Sequence, residues 1–172
     1  ELEGFERPGN RVRGLDHLDV EFFGAAADPH RSRRSRITLG EALKKALGNN
    51  TGIKRCGSSN VPMMDSLSTV ILDISNRPYF KFNNGATSFA IDKVYAAIKA
   101  GKVEEAFDMG LMKEFMKALS NSAGLDLHVT IHYGEDIHHA IESIYKALGR
   151  ALCMAVAKDP RIKGVLSTKG KL

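Results

Sequence analysis

Between Leu127 and Tyr133 the chain alternates strictly: Leu127, Val129, Ile131 and Tyr133 are apolar, and His128, Thr130 and His132 between them are polar. A period of two describes a strand with one face buried and one face free. Gly134-Glu135-Asp136 then reads as a turn, and a helix follows from about 138 to 157. On that helix His138 and Glu142 are four residues apart, as are Glu142 and Lys146, so all three share one face. His139 lies about 100° further around the same helix. A strand with one buried face must pair into a sheet, and an amphipathic helix directly after it must cover that sheet.

The same segment carries the most chemistry. Four of the six histidines fall between residues 128 and 139. Neutral imidazole and carboxylate are ordinary ligands for divalent transition metals. His138 and Glu142 form one candidate pair, while the angular offset of His139 suits a second ion. Either His128 or His132 could complete a site, and spacing alone does not choose between them. The bland alternative is that the two adjacent histidines cap a helix.

Elsewhere the pattern predicts a helix over 37–47 stopped by Gly48, a loop over 57–62, and strands over 68–74 and 79–82 joined by a turn at Asn76-Arg77-Pro78. Residues 89–99 read as a helix or an insertion. A helix is predicted over 103–120, with Phe107, Leu111, Phe115, Met116 and Leu119 as its buried stripe. Asp159-Pro160 ends the last helix.

An internal repeat appears at an offset of 109 residues. It sets His30 against His139, Gly40 against Gly149, Ala42-Leu43 against Ala151-Leu152, and Leu18-Asp19-Val20 against Leu127-His128-Val129. The reading is therefore one domain over 1–172, with a first, degenerate half over 1–67 and a second over 68–172. The second unit has elements in front, from residue 68, whose counterparts in the first would begin at 68 − 109 = −41. Either about forty residues precede the chain or the first half is truncated. The fold class is α+β, a two-layer sandwich with helices on one face of a largely antiparallel sheet.

The stretch from Gly134 to Lys146 resembles a signature of the imidazoleglycerol-phosphate dehydratase family: Gly-x-Asn/Asp-x-His-His-x-x-Glu-small-x-aromatic-Lys, met at every specified position. Further segments agree: Leu39 to Leu43, Gly52 to Gly57, Val61-Pro62-Met63, Asp73 to Tyr79 and Ser167 to Gly170. Together they cover about residues 37–172, and 1–36 match poorly. The resemblance implies duplicated ribosomal-protein-S5-domain-2-like halves. It also implies a histidine-biosynthesis enzyme that removes water from imidazole glycerol phosphate, and a cytoplasmic homo-oligomer with an octahedral shell and sites shared between subunits. By the same resemblance two manganese ions per site are held by His128, His138, His139 and Glu142, with Glu142, His138 and His139 as the catalytic groups. Arg55, Arg77, Lys146, Ser167 and Lys169 then bind the substrate phosphate. Asp65 stands where the family has acidic residues after Pro-Met, whereas Met64 departs from that pattern.

The first half departs further. Leu15-Asp16-His17 resembles a family motif carrying another ligand, and His30 is the surviving histidine of the second, so His17 and His30 are metal candidates. Pro29 and Arg33 stand where the repeat places a histidine and a carboxylate, and arginine cannot ligate a cation. The run 31–36, all Arg and Ser until Ile37, reads as a reading-frame lesion.

Composition decides among partners. The net charge of +5 owes four charges to Arg31, Arg33, Arg34 and Arg36, which leaves +1 for the rest. With no tryptophan and no broad basic face, an RNA-binding S5-like module is the weakest reading. A catalytically silent or damaged family member is the closer alternative to an active enzyme. Cys56 and Cys153 form no disulfide framework, and no apolar run suits a membrane span or a signal peptide.

Overall fold

The computed structural model describes residues 32–85 and 109–167, apart from the side chains of 32–36. In chain order the elements are α1 (Ser32–Leu47), β1 (Cys56–Met63), β2 (Ser66–Ile74), β3 (Tyr79–Asn83), α2 (Met109–Ala123), β4 (Leu125–Tyr133) and α3 (Ile137–Val156). The sheet runs β1-β2-β4-β3. The first two pairings are antiparallel and β3 lies parallel to β4.

Alternation in β2 and β4 decides which face is covered. Val70, Leu72 and Ile74 on β2 and Leu125, Leu127, Val129 and Ile131 on β4 are at most 1% exposed. They pack under α2 and α3, whose Met116, Leu119, Ala140, Ile144 and Leu148 face them. Burial of such side chains stabilises by about 1.5–3 kcal/mol each. The opposite face stays open, with Thr69, Ile71 and Asp73 beside Asp126, His128 and Thr130. Thus the α+β class with helices on one face of a mainly antiparallel sheet holds.

Some expectations change. Residues 57–62 belong to β1 rather than a loop, because they pair residue for residue with β2. The sheet therefore starts at Cys56, ahead of residue 68. In a strand of Gly, Ser, Asn and Pro the pairing comes from the hairpin and from α3, not from propensity. Helix α1 begins at Ser32 rather than 37. On α2, Met112 is buried where Leu111 was expected, since the stripe runs Met109, Met112, Met116, Leu119, Ala123. Phe107 and the segment 89–99 lie outside the described residues.

Two close approaches fix the helices. A Cβ on Gly57 would lie 1.9 Å from the Ala151 carbonyl oxygen, so β1 touches α3 backbone to backbone. Helix α1 packs on α2, where a Cβ on Gly40 would lie 1.9 Å from Ser122 Oγ.

Candidate active site

One end of the sheet gathers imidazoles and carboxylates. The β1–β2 hairpin turns through Met64 and Asp65, with Met63 paired to Ser66. Asp65 Oδ2 accepts the backbone N–H of Glu135 (2.6 Å) and of Asp136 (2.7 Å), and Oδ1 lies 2.5 Å from His139 Nδ1. Those amides, Asp136 first, and then the His139 ring hold the Asp65 carboxyl well below the usual carboxylate range. Asp136 caps α3: its Oδ1 accepts from His138 N (2.7 Å) and His139 N (3.3 Å). Asp136, not the histidine pair, is therefore the cap.

Along α3 the predicted face is present. His138 Nε2 lies 3.6 Å from Glu142 Oε2, and Lys146 Nζ lies 2.6 Å from Glu142 Oε1. Below Glu142, Ser143 and Ser68 share a buried hydroxyl contact of 2.6 Å that ties α3 to β2. The His138–Glu142 gap exceeds a hydrogen bond. It is close to the separation of adjacent donors around one small cation with bonds of about 2.1 Å, roughly 3.0–3.5 Å. This pair therefore fits a divalent metal as two neighbouring ligands. His139 sits apart, its ring centroid 6.1 Å from that of His138 and tilted by 68°. No group of three or more metal-ligating side chains converges among the described residues.

The structure does not bring His128 to this cluster. His128 is on the open face, its backbone paired with Ile71 and Lys81, 3.0 Å from Asp126 Oδ1, its ring centroid 5.8 Å from that of Tyr79 and tilted by 40°. Ile71 is six residues along β2 from Asp65, about 20 Å, and α3 covers the other face. His132 also points to the open face, 2.6 Å from Thr69 Oγ1. Within one chain neither completes a site with His138 or His139. His17, His30 and Lys169 lie outside the described residues.

The expected phosphate contacts are likewise divided. Lys146 sits at the histidine end, with its ammonium 3.6 Å from Met63 Sδ. Arg55 precedes Cys56 at the other end of β1, seven steps or about 23 Å away. There it forks onto Asp73, Nε–Oδ1 2.5 Å and Nη2–Oδ2 2.6 Å, and donates from Nη1 to the Leu166 carbonyl at 2.6 Å. The Asp73 hydrogen bond raises the Arg55 pKa above its ordinary value. Leu166 precedes Ser167, so Arg55 holds the tail that carries Ser167. Arg77 is exposed in the turn after β2, at this same end.

Asp65 and Asp136 were not singled out as site residues by sequence reasoning. Asp136 had a local signal, an Asp just before a helical run. Asp65 had none apart from the family's acidic position, because its partners are about seventy residues away in sequence.

An α+β sheet with paired imidazoles, a carboxylate and a lysine at the start of its covering helix is equipped to move protons and to bind anions, as a lyase requires. The family model for imidazoleglycerol-phosphate dehydratase matches residues 14–152, so the match starts at 14 rather than 37. The chain is 46% identical over 161 residues to the imidazoleglycerol-phosphate dehydratase of Geobacillus kaustophilus, covering 94% of this chain and 72% of that one. It is 44% identical to the Bacillus subtilis enzyme, covering 84% and 68%. The crystal structure of the Pyrococcus furiosus enzyme superposes with a TM-score of 0.66 at 30% identity, over 92% of this chain and 85% of that one. The Staphylococcus aureus structure gives 0.62 at 32%, over 76% and 68%. This chain belongs to the imidazoleglycerol-phosphate dehydratase family, lyases of histidine biosynthesis. No described helix is long and apolar enough to cross a membrane.

Proposed function

We propose that this chain converts imidazole glycerol phosphate to imidazole acetol phosphate in the cytoplasm, as a manganese-dependent homo-oligomer with two ions per site. The observation that carries the reading is the His138–Glu142–Lys146 face of α3 beside the Asp65-held His139. His138 and Glu142 would hold one ion and His139 the other. His128 would arrive from another chain, since one chain's described residues gather no complete set. By the family resemblance the first-half candidates His17 and His30 would also complete the site from a neighbouring chain. Bound metal would supply Lewis acidity to the substrate's imidazole ring.

The chain's own groups do the rest. Elimination takes a proton from the carbon beside the ring, and a hydroxyl leaves as water, giving an enol that becomes the ketone. Glu142 suits the base role, as its carboxylate sits on α3 between the His138 imidazole and the Lys146 ammonium. Lys146, already paired to Glu142, can donate to an anion. Arg77 and Ser167 offer phosphate contacts at the opposite pole, Arg55 supports them through the tail, and the family resemblance adds Lys169 to that set. Two poles about 23 Å apart in one chain favour a site built where one subunit's histidine end meets another's arginine end.

Manganese titration of wild type and Glu142→Ala, with turnover of the substrate in added manganese, tests this. Tight binding and turnover are expected in wild type and loss of both in the variant. Equal, tight stoichiometry in both would remove Glu142 as a ligand. Wild type that binds manganese without turnover would favour the silent family member, the reading that Arg33 in the carboxylate position supports.

A further inference from the structure

We infer that Asp65 is a positioning residue that fixes His139 as the Nδ1–H tautomer, leaving Nε2 as the ring's one lone-pair nitrogen. A carboxylate only accepts hydrogen bonds, so the 2.5 Å contact between Asp65 Oδ1 and His139 Nδ1 requires the ring nitrogen to donate. The other oxygen is committed to the amides of Glu135 and Asp136 at 2.6 and 2.7 Å, which aims Oδ1 at the ring. Helix α3 is held from its own side by Asp136, which takes the amides of His138 and His139. Hairpin turn and helix start therefore form one unit, and His139 projects from it in a set orientation. Among the other described imidazoles, His138 Nε2 is 3.6 Å from Glu142 Oε2, and His128 meets Asp126 Oδ1 at 3.0 Å where the two side chains are about half exposed, at 48% and 41%.

In a neutral imidazole one nitrogen donates and the other accepts, and the partner of the first sets the role of the second. Such carboxylate–histidine pairs hold a ligand ring in place and raise its basicity, and losing one lowers metal affinity about 10–100-fold. The consequence for manganese rests on the function proposed above, whereas the tautomer assignment does not.

Asp65→Asn is the informative substitution. Its amide oxygen can keep the Glu135 and Asp136 amides, while its NH2 group now faces Nδ1 and donates to it. The ring must then carry its proton on Nε2. The measurement is nitrogen NMR of the histidine rings in the metal-free full chain at about pH 8.5, where imidazole is ordinarily neutral, with manganese titration alongside. Wild type is expected to show Nδ1–H at His139, and D65N to show Nε2–H with manganese affinity about 10–100-fold lower. An Nε2–H ring in wild type, or a D65N ring that keeps Nδ1–H with unchanged manganese affinity, overturns the inference and leaves Asp65 as a turn anchor. A tautomer flip with no manganese bound by either chain supports the assignment and counts against the metal reading alone. Should D65N fail to fold, the wild-type tautomer decides.

Discussion

The two ends of the sheet solve different problems. At the arginine end the chain is knitted mainly through its backbone. Lys54 N and Arg55 N donate to the carbonyls of Ala157 (2.9 Å) and Ala155 (2.8 Å), Gly52 N to Gly164 (2.8 Å), and Asp159 N to Gly52 (2.9 Å). At the histidine end, side chains do the joining: Asp65 to His139, Asp136 to the helix start, Lys146 to Glu142. Backbone pairing tolerates changes of side chain but not of space. Side-chain pairing tolerates changes of space but not of chemistry. Substitutions that disturb the backbone joins of the first end should therefore remove stability, and those in the side-chain joins of the second should remove function while the fold persists.

The sharpest contrast is Gly57→Val against His138→Ala. The valine Cβ would sit 1.9 Å from the Ala151 carbonyl oxygen and 2.9 Å from its carbon, so α3 must lift from β1. Overpacking against backbone is expected to cost about 3 kcal/mol. His138, 50% exposed, packs little, and its loss should stay within about 0.5 kcal/mol. Urea unfolding of both variants checks this. Equal losses would show that the two ends are not built differently.

What was legible in the sequence follows the same division. The β4–α3 unit was readable almost to its ends, because strict alternation gives way to helical spacing across one Gly-Glu-Asp turn. β1 was not, since Gly57, Ser58, Ser59, Asn60 and Pro62 carry no strand signal and owe their place to β2 and α3. For the site, the His138–Glu142–Lys146 face followed from helix geometry alone. The distance from His128 to that face did not, because alternation places a side chain on a face of a sheet but not relative to the helix beyond it. Arg55 entered as a phosphate ligand through the family resemblance, and its fork onto Asp73 was not legible because that pairing is set by strand register, which local sequence does not encode.

A double-mutant cycle over Arg55→Ala and Asp73→Ala sharpens the comparison. The two side chains are 16% and 28% exposed, and the fork is bidentate. A coupling of about 1–2 kcal/mol is expected, discounted for partial screening. Arg55→Ala should also speed hydrogen exchange at the amides of Gly52 and Asp159, since it releases the Leu166 carbonyl and with it the tail. Coupling below about 0.3 kcal/mol would mean that the pair is a loose surface contact. Arg55 would then be free to serve phosphate directly.

The smallest effect belongs to the turn that carries Asp65. Met64 has φ +46° at the first central position of a two-residue hairpin turn, and Asp65 does not share the positive φ. That pattern favours glycine at the first position. A left-handed side-chain-bearing residue costs about 1–2 kcal/mol, whereas glycine's extra freedom in the unfolded chain costs about 0.4–1 kcal/mol. Met64 is 79% exposed, so it has little packing to lose. Met64→Gly is therefore expected to stabilise by about 0.5 kcal/mol, read as a higher urea midpoint at unchanged slope. The His139 tautomer should not move, because Asp65 keeps both amides and the ring. If the substitution destabilises instead, the exposed methionine is packing against something, and the histidine end owes part of its stability to a neighbouring chain rather than to its own side chains.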